Sequence, residues 1–277
     1  ATNDPMNTGN NGADINVIYI GSNKVLFFWK EESQQYKAQI GTLSGSSLSL
    51  GTLYTVNDDT SNSSPNYGQV VYASNTGQVI FFWKYGGNNN DRGYAKAATI
   101  SGTSLSLGSE VNIGSNDSVF YNLMAWDASA QRAVLVYRSG AVGNGDKLAY
   151  SLVSVSGNTL TVQQDAQMIG NNLTVTPGGR IIYDSTAQKT ILFWPDPTNN
   201  YMSILCMDVG SSSITFGTQV NRPTNRYFVD SNMDATFVPG VNKVGYCYDV
   251  YSGSEANTLR IGILSLSGTT ITVNEQE

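Results

Sequence analysis

Histidine is absent from all 277 residues, and that absence removes every mechanism built on an imidazole. Histidine-assisted serine and cysteine hydrolases, and metal enzymes that need imidazole ligands, are excluded. Cysteine is almost as scarce: Cys206 and Cys247 are too few for a disulfide framework or a thiolate zinc site. Charge is sparse, with 15 basic against 21 acidic residues and a formal net charge of −6, so no basic surface for nucleic acid is expected. No apolar run approaches the roughly 18 to 20 residues of a membrane helix. The opening ATNDPMNTG has neither a signal sequence nor an initiator Met, and predicts a processed, trimmed or excised chain. Nucleic-acid binding and membrane insertion are therefore not expected.

What the chain does have is a phrase that returns five times. It reads SGSSLSLG from Ser44, SGTSLSLG from Ser101, SGNTLTV from Ser156, GSSSITFG from Gly210 and SGTTITV from Ser267. Anchored on Leu48, Leu105, Leu160, Ile214 and Ile271, the intervals are 57, 55, 54 and 57. A period near 55 that fills the chain means copies of one supersecondary unit.

Upstream of each phrase lies a short run rich in β-branched and aromatic residues: VLFFWK, VIFFWK, AVLVYR, ILFWP and KVGYCYD. Such runs, five to seven residues long and bounded by polar turns, read as strands buried on both faces. A strand ending in a polar hairpin precedes each run, a third strand follows a variable loop, and the phrase turns into a fourth, half-exposed strand. Four antiparallel strands per copy predict an all-β fold, a five-bladed β-propeller of four-stranded blades with a repeat of about 55 residues. The blades fall at approximately 15–57, 67–114, 121–170, 178–222 and 233–277, in one domain over 15–277, with 1–14 as an extension or linker. A linear array or a sandwich of the same hairpins fits less well, because no copy looks like a cap. Closure has a loose end: blade one starts with its innermost strand and blade five ends with its outermost, so no strand is obviously exchanged to seal a ring.

In this register Trp29, Trp83, Tyr137, Trp194 and Tyr248 recur and read as packing residues. Cys206 falls where Ile40, Ala97, Leu152 and Ile263 fall, and Cys247 where Phe28, Phe82, Val136 and Phe193 fall, so both read as small buried hydrophobes. The residue after the aromatic position recurs in kind as Lys30, Lys84 and Arg138, then is lost.

Carboxylate chemistry survives the absence of histidine, and five-bladed propellers host glycosidases that use two carboxylates. The candidates are Asp4, Asp14, Glu110, Asp127, Asp184, Asp234 and Asp249, of which Asp127 and Asp184 share one register in a hairpin turn where Asp serves the turn itself. Oxygen-rich loops at Asp58 and Asp59, at 86–93 and at 143–146 lack the alternating ligand spacing of a calcium loop. No metal and no cofactor are expected. The strongest variation lies in the loops between second and third strands, all on one rim of the disc. They carry Glu31, then Asn89, Asp91 and Arg92, then Asn144 and Asp146, then Asp196 and Asn199, then Tyr251 and Glu255. A rigid scaffold displaying unlike polar loops suits recognition.

The string AKAATISGTSLSLGSEVNI from Ala95, with YASNTGQVIFFWK before it and YDSTAQKTILFW later, closely resembles the repeats of tail-fibre-like and virion-associated proteins of tailed phages, especially marine ones. Those repeats pair a phrase such as YDSxxxKVVVVYRD with one such as GTAVVGTVSGTSISFGSAVVF. The likeness spans all five copies and departs in the FFW strand and the irregular fourth blade. It implies a propeller used as a structural or receptor-facing part of a particle, in the virion or outside the cell. Other virion proteins and a host-surface glycan or receptor are then the expected partners, with oligomeric attachment, and it transfers no catalytic residue. The expectation is a non-enzymatic structural protein of a phage particle, as a fibre, appendage or decoration module; a secreted or cell-surface carbohydrate-binding propeller comes second and a propeller glycosidase third.

Overall fold

A computed structural model describes residues 15–31, 35–57, 65–86, 91–115, 118–140, 147–170, 179–196, 201–223, 233–250 and 258–276. Blade one comprises β1 (Ile15–Tyr19), β2 (Lys24–Lys30), β3 (Tyr36–Ser44) and β4 (Ser47–Thr55). Blade two comprises β5 (Pro65–Ala73), β6 (Gln78–Tyr85), β7 (Gly93–Ser101), β8 (Ser104–Leu107) and β9 (Val111–Ile113). In blade three are β10 (Val119–Asp127), β11 (Arg132–Ser139), β12 (Lys147–Ser156) and β13 (Thr159–Met168). Blade four holds β14 (Arg180–Asp184), β15 (Lys189–Asp196), β16 (Tyr201–Val209), β17 (Ile214–Phe216) and β18 (Val220–Pro223). Blade five is β19 (Met233–Val238), β20 (Lys243–Val250), β21 (Thr258–Ser267) and β22 (Thr270–Gln276). Each blade is one antiparallel meander in chain order, and the fold is an all-β propeller of five blades. In blades two and four the outer strand breaks after the phrase, so β8 with β9, and β17 with β18, pair in two pieces against the third strand.

The second strands carry the junctions because their side chains alternate between two buried sides. In β6, Val79, Phe81 and Trp83 point back and join Leu26, Phe28 and Tyr36 of blade one. Ile80 and Phe82 point forward to Met124 and Trp126 of blade three. Each large apolar side chain so buried contributes about 1.5–3 kcal/mol. The recurrent Trp83, Tyr137, Trp194 and Tyr248 are fully buried, which makes them packing residues. Cys206 is buried in the junction of blades four and five, where desolvation pushes its thiol up to about 11. Cys247 departs from the expectation: it is only half-buried, because it lies on the forward side of blade five. Four core clusters fill the four junctions between consecutive blades, and among the described residues none joins blade five to blade one.

The repeated phrase has two structural jobs. Its turn needs a left-handed residue, supplied by Gly45, Gly102, Gly157 and Gly268 at φ of 57°, 61°, 58° and 59°. Its terminal glycine receives the next blade. A β-carbon on Gly51 would lie 2.6 Å from Thr103 Cβ, and one on Gly108 or Gly217 would overlap the carbonyl oxygen of Asn158 or Thr269. Those three residues sit in the phrase turns of blades two, three and five, so the outer edge is a series of glycine-to-turn fits.

Candidate functional site

The rim where first strands begin and second strands end carries the most unusual chemistry of the molecule. Antiparallel pairing sets Asn66 opposite Lys84 and Phe120 opposite Arg138. Both first strands bulge there, between Asn66 and Gln69 and between Phe120 and Leu123. Within the bulges Tyr67 and Tyr121 adopt left-handed backbone at φ 57° and 56°, a conformation costing about 1–3 kcal/mol in a bulky residue.

The bulges aim the two tyrosines at each other, with ring centroids 5.2 Å apart in an edge-on contact. Phe120 lies beside Tyr121 at 6.4 Å. Lys84 Nζ sits 3.9 Å from the Phe120 centroid and 5.6 Å from that of Tyr67, while the Arg138 guanidinium lies 4.6 Å from Phe120 and 5.0 Å from Tyr121. Lys84 also pairs with Asp91 at 2.6 Å, and Lys30 Nζ donates to Asn66 Oδ1 at 2.9 Å. Backbone bonds fix the surround: Val119 N–H donates to Asp91 O, and Gly140 N–H to Ser118 O. Next to Tyr121, Asn122 is buried, and neither of its amide atoms has a hydrogen-bond partner among the described residues. An unsatisfied buried amide costs about 1–3 kcal/mol, so strain and desolvation accumulate at one place. Half-buried aromatic rings, cations held over them, and a carboxylate beside them form a surface with apolar faces and directed polar groups.

The variable loops contribute unequally. Asp91 reaches this cluster through Lys84, Arg92 is half-buried and its carbonyl accepts from Tyr85 N–H, and Glu31 is exposed and pairs with Lys37 at 3.4 Å. Asp196, expected on the rim surface, is instead buried at 3 % exposure as the last residue of β15. Asn89, Asn144, Asp146, Asn199, Tyr251 and Glu255 lie outside the described residues. Tyr67, Phe120 and Tyr121 escaped the sequence reading. The available signal was their interval: Tyr67 and Tyr121 are 54 residues apart, as are Lys30 and Lys84, and Lys84 and Arg138.

The carboxylates considered for hydrolysis are placed otherwise. Asp127, itself fully buried, has its Oδ1 accepting from Ser129 N–H, Ser129 Oγ and Ala130 N–H of its own turn, and its Oδ2 from Thr190 Oγ1. Asp184 accepts from Thr186 N–H and Ala187 N–H in the same way. Glu110 accepts from Tyr85 OH at 3.2 Å and faces Lys96, and exposed Asp234 pairs with Arg180 at 3.2 Å. Asp4, Asp14, Asp58 and Asp59 lie outside the described residues, as does the side chain of Asp249. Among the described residues no three Cys, Asp or Glu side chains gather as a metal site would require.

No protein-family model matches the chain, and no curated protein matches it. Solved structures do. A protein from Lactobacillus plantarum aligns over 92% of this chain and 67% of its own, at 12% identity and a TM-score of 0.57. A triple-arginine-to-alanine variant of AofleA from Arthrobotrys oligospora aligns over 96% of this chain and 73% of its own, at 9% identity and a TM-score of 0.55. A variant of the exo-β-1,3-galactanase of Phanerochaete chrysosporium, solved with β-1,3-galactotriose, aligns over 94% and 66%, at 11% identity and a TM-score of 0.55. At such identities the likeness is one of fold. It nevertheless corrects the expectation of a non-enzymatic protein: this architecture is one that a glycosidase uses. The physical reason is that glycoside hydrolysis runs on paired carboxylates, so neither a propeller nor the lack of histidine argues against catalysis.

Proposed function

We propose that the protein recognises glycans through the rim of blades two and three, as a propeller of a tailed-phage particle facing the host surface. The observation that carries the glycan reading is the Tyr67–Tyr121–Phe120 cluster with Lys84 and Arg138 against its rings. A sugar offers apolar C–H faces and a girdle of hydroxyls. The half-buried ring surfaces suit the first, and Asp91, Asn66 and Arg138 suit the second, with buried Lys84 holding Asp91 and Phe120 in place. The left-handed bulges bring Tyr67 and Tyr121 together across two blades, and such strain concentrates where a surface is shaped for a ligand. The galactanase, a propeller of the same fold, holds a galactotriose. The phage placement rests on the repeat phrases, above all AKAATISGTSLSLGSEVNI.

A glycan array probed with the wild-type chain and with Tyr121→Ala tests the first part, and assay of the bound glycans for released sugar reports turnover at the same time. Binding to a defined set of glycans that is lost in Tyr121→Ala is the expected result. Equal binding by both proteins, or none by the wild type, would refute the site. Immunogold labelling of purified phage particles from the source sample tests the second part, and unlabelled particles would sink it.

A further inference from the structure

We propose, resting on the glycan reading of this rim, that its ligand is an oligosaccharide lying across blades one to three and held in two equivalent slots of unlike chemistry, rather than a single sugar. Three cations stand at one register near the ends of the second strands, Lys30, Lys84 and Arg138, each 54 residues from the next. Asn66 and Phe120 are likewise 54 apart, and each is the residue at which its first strand enters the bulge. The cation of one blade therefore meets the bulge of the next. In the first slot Lys30 Nζ donates to Asn66 Oδ1 at 2.9 Å. In the second, Lys84 Nζ stands 3.9 Å from the Phe120 centroid. One slot is polar and its successor aromatic, on the same backbone plan.

Tyr67 joins the slots: it follows Asn66 in the chain, meets the Tyr121 ring edge-on at 5.2 Å and lies 5.6 Å from Lys84 Nζ. Asn16 Nδ2 donates to Gly68 O at 3.0 Å and carries the polar end onto blade one, while the Arg138 guanidinium, 4.6 Å from Phe120, closes the aromatic end. Lys30, Asn66, Tyr67, Phe120, Tyr121 and Arg138 are all half-buried, so the row is open to solvent along its length. The bulges also differ beneath the row. At Gly68 a β-carbon would strike the Tyr36 ring, so the first bulge bears no side chain after its tyrosine, and in the second that place belongs to Asn122. Equivalent points of sheets packed face to face lie about 10 Å apart. One pyranose does not bridge that distance, and a chain of two or three units does. Its hydroxyls then meet Lys30 and Asn66 at one end, and its C–H face rests on Phe120 and Tyr121 at the other.

A glycan array printed with ladders of one to five units, in hexose, deoxyhexose and N-acetylhexosamine backbones, tests the span, and calorimetry on the members it selects gives affinities. Wild-type affinity should rise about tenfold or more from one unit to three and then level off, because the second slot is filled by a unit already tethered to the first. Asn66→Ala and Lys30→Met, each checked by melting temperature, should shrink that gain to about twofold or less, while Tyr121→Ala should abolish binding at every length. Should one of the two variants fail to fold, the other and the wild-type ladder still decide. Single sugars bound as tightly as trisaccharides, or a length gain that the folded variants keep, would overturn the span and leave the glycan site standing. No binding by the wild type at any length would instead remove the glycan site itself, and the span with it.

Discussion

Lys84 of blade two holds its ammonium 3.9 Å from the ring centroid of Phe120 in blade three, and the same ammonium pairs with Asp91 at 2.6 Å. One cation thus ties an aromatic ring, a carboxylate and two blades together at the rim. Lys84→Met keeps the stem and removes the charge. Glycan affinity should fall about tenfold, or about 1.4 kcal/mol, by calorimetry against whichever glycan the array selects. Unchanged affinity would remove Lys84 from the site.

Tyr121→Gly separates binding from stability. Glycine accepts the left-handed backbone that Tyr121 holds at φ 56°, so relief of about 1 kcal/mol of strain offsets the lost ring contacts. The melting temperature should stay close to wild type while glycan binding disappears. Tyr137→Ala, by contrast, empties a fully buried position and should cost about 3–5 kcal/mol in urea unfolding.

At Gly108 a methyl group would overlap the backbone carbonyl of Asn158, which cannot swing aside as a side chain would. Gly108→Ala should therefore destabilise by about 1–3 kcal/mol or more. Gly240, with nothing near its would-be β-carbon, is the control, and Gly240→Ala should stay within about 0.5 kcal/mol. Equal effects at the two positions would dismiss the glycine-to-turn fit.

Asp127 spends both oxygens inside its own turn and on Thr190. Asp127→Ala should lower stability by about 3 kcal/mol or more, since several charge-assisted bonds go together, whereas Asp127→Asn keeps an acceptor and loses less. Denaturant midpoints rank the two. Glycan binding by folded Asp127→Asn should match wild type.

Alkali should unfold the protein in a window set by buried acids. Burial pushes the Cys206 thiol from 9.0 to about 11, and burial with the neighbouring Glu275 charge pushes Tyr248 from 10.0 to about 12. Tyr246, which donates to Glu275 at 2.7 Å, is raised as well, by burial first. The folded state holds these protons more tightly than the unfolded chain, so the stability they lend is complete below pH 9 and is lost as pH rises toward 12. Cys206→Val should flatten the lower part of that decline in melting curves taken from pH 8 to 12.

The blades were legible because burial on both sides forces a continuous apolar run, and VIFFWK can be little else at that length and spacing. The turns were legible too, since SG in the phrase matches the left-handed φ of Gly102 and Gly157. The candidate site was not. Tyr67 lies in a linker-like stretch, SSPNYG, and Phe120 and Tyr121 look like ordinary strand residues. What sets them apart is backbone, a bulge and a positive φ, and tyrosine advertises neither. Asp196 misled for the opposite reason, because a polar residue beside Pro195 reads as loop while the strand carries it inward. Burial at the first blade was invisible in the sequence, where Phe27 and Phe81 stand in the nearly identical phrases VLFFWK and VIFFWK yet only Phe81 is fully buried.

The fit of Gly51 to Thr103, Gly108 to Asn158 and Gly217 to Thr269 has a bearing on how such a molecule grows. Socket and peg lie within one short phrase, a few residues apart. A duplication that copies the phrase copies both halves of the joint, and the new unit arrives already matched to its neighbours. A lineage could lengthen or shorten this protein by whole units without inventing a contact, leaving selection free to act on the rim alone.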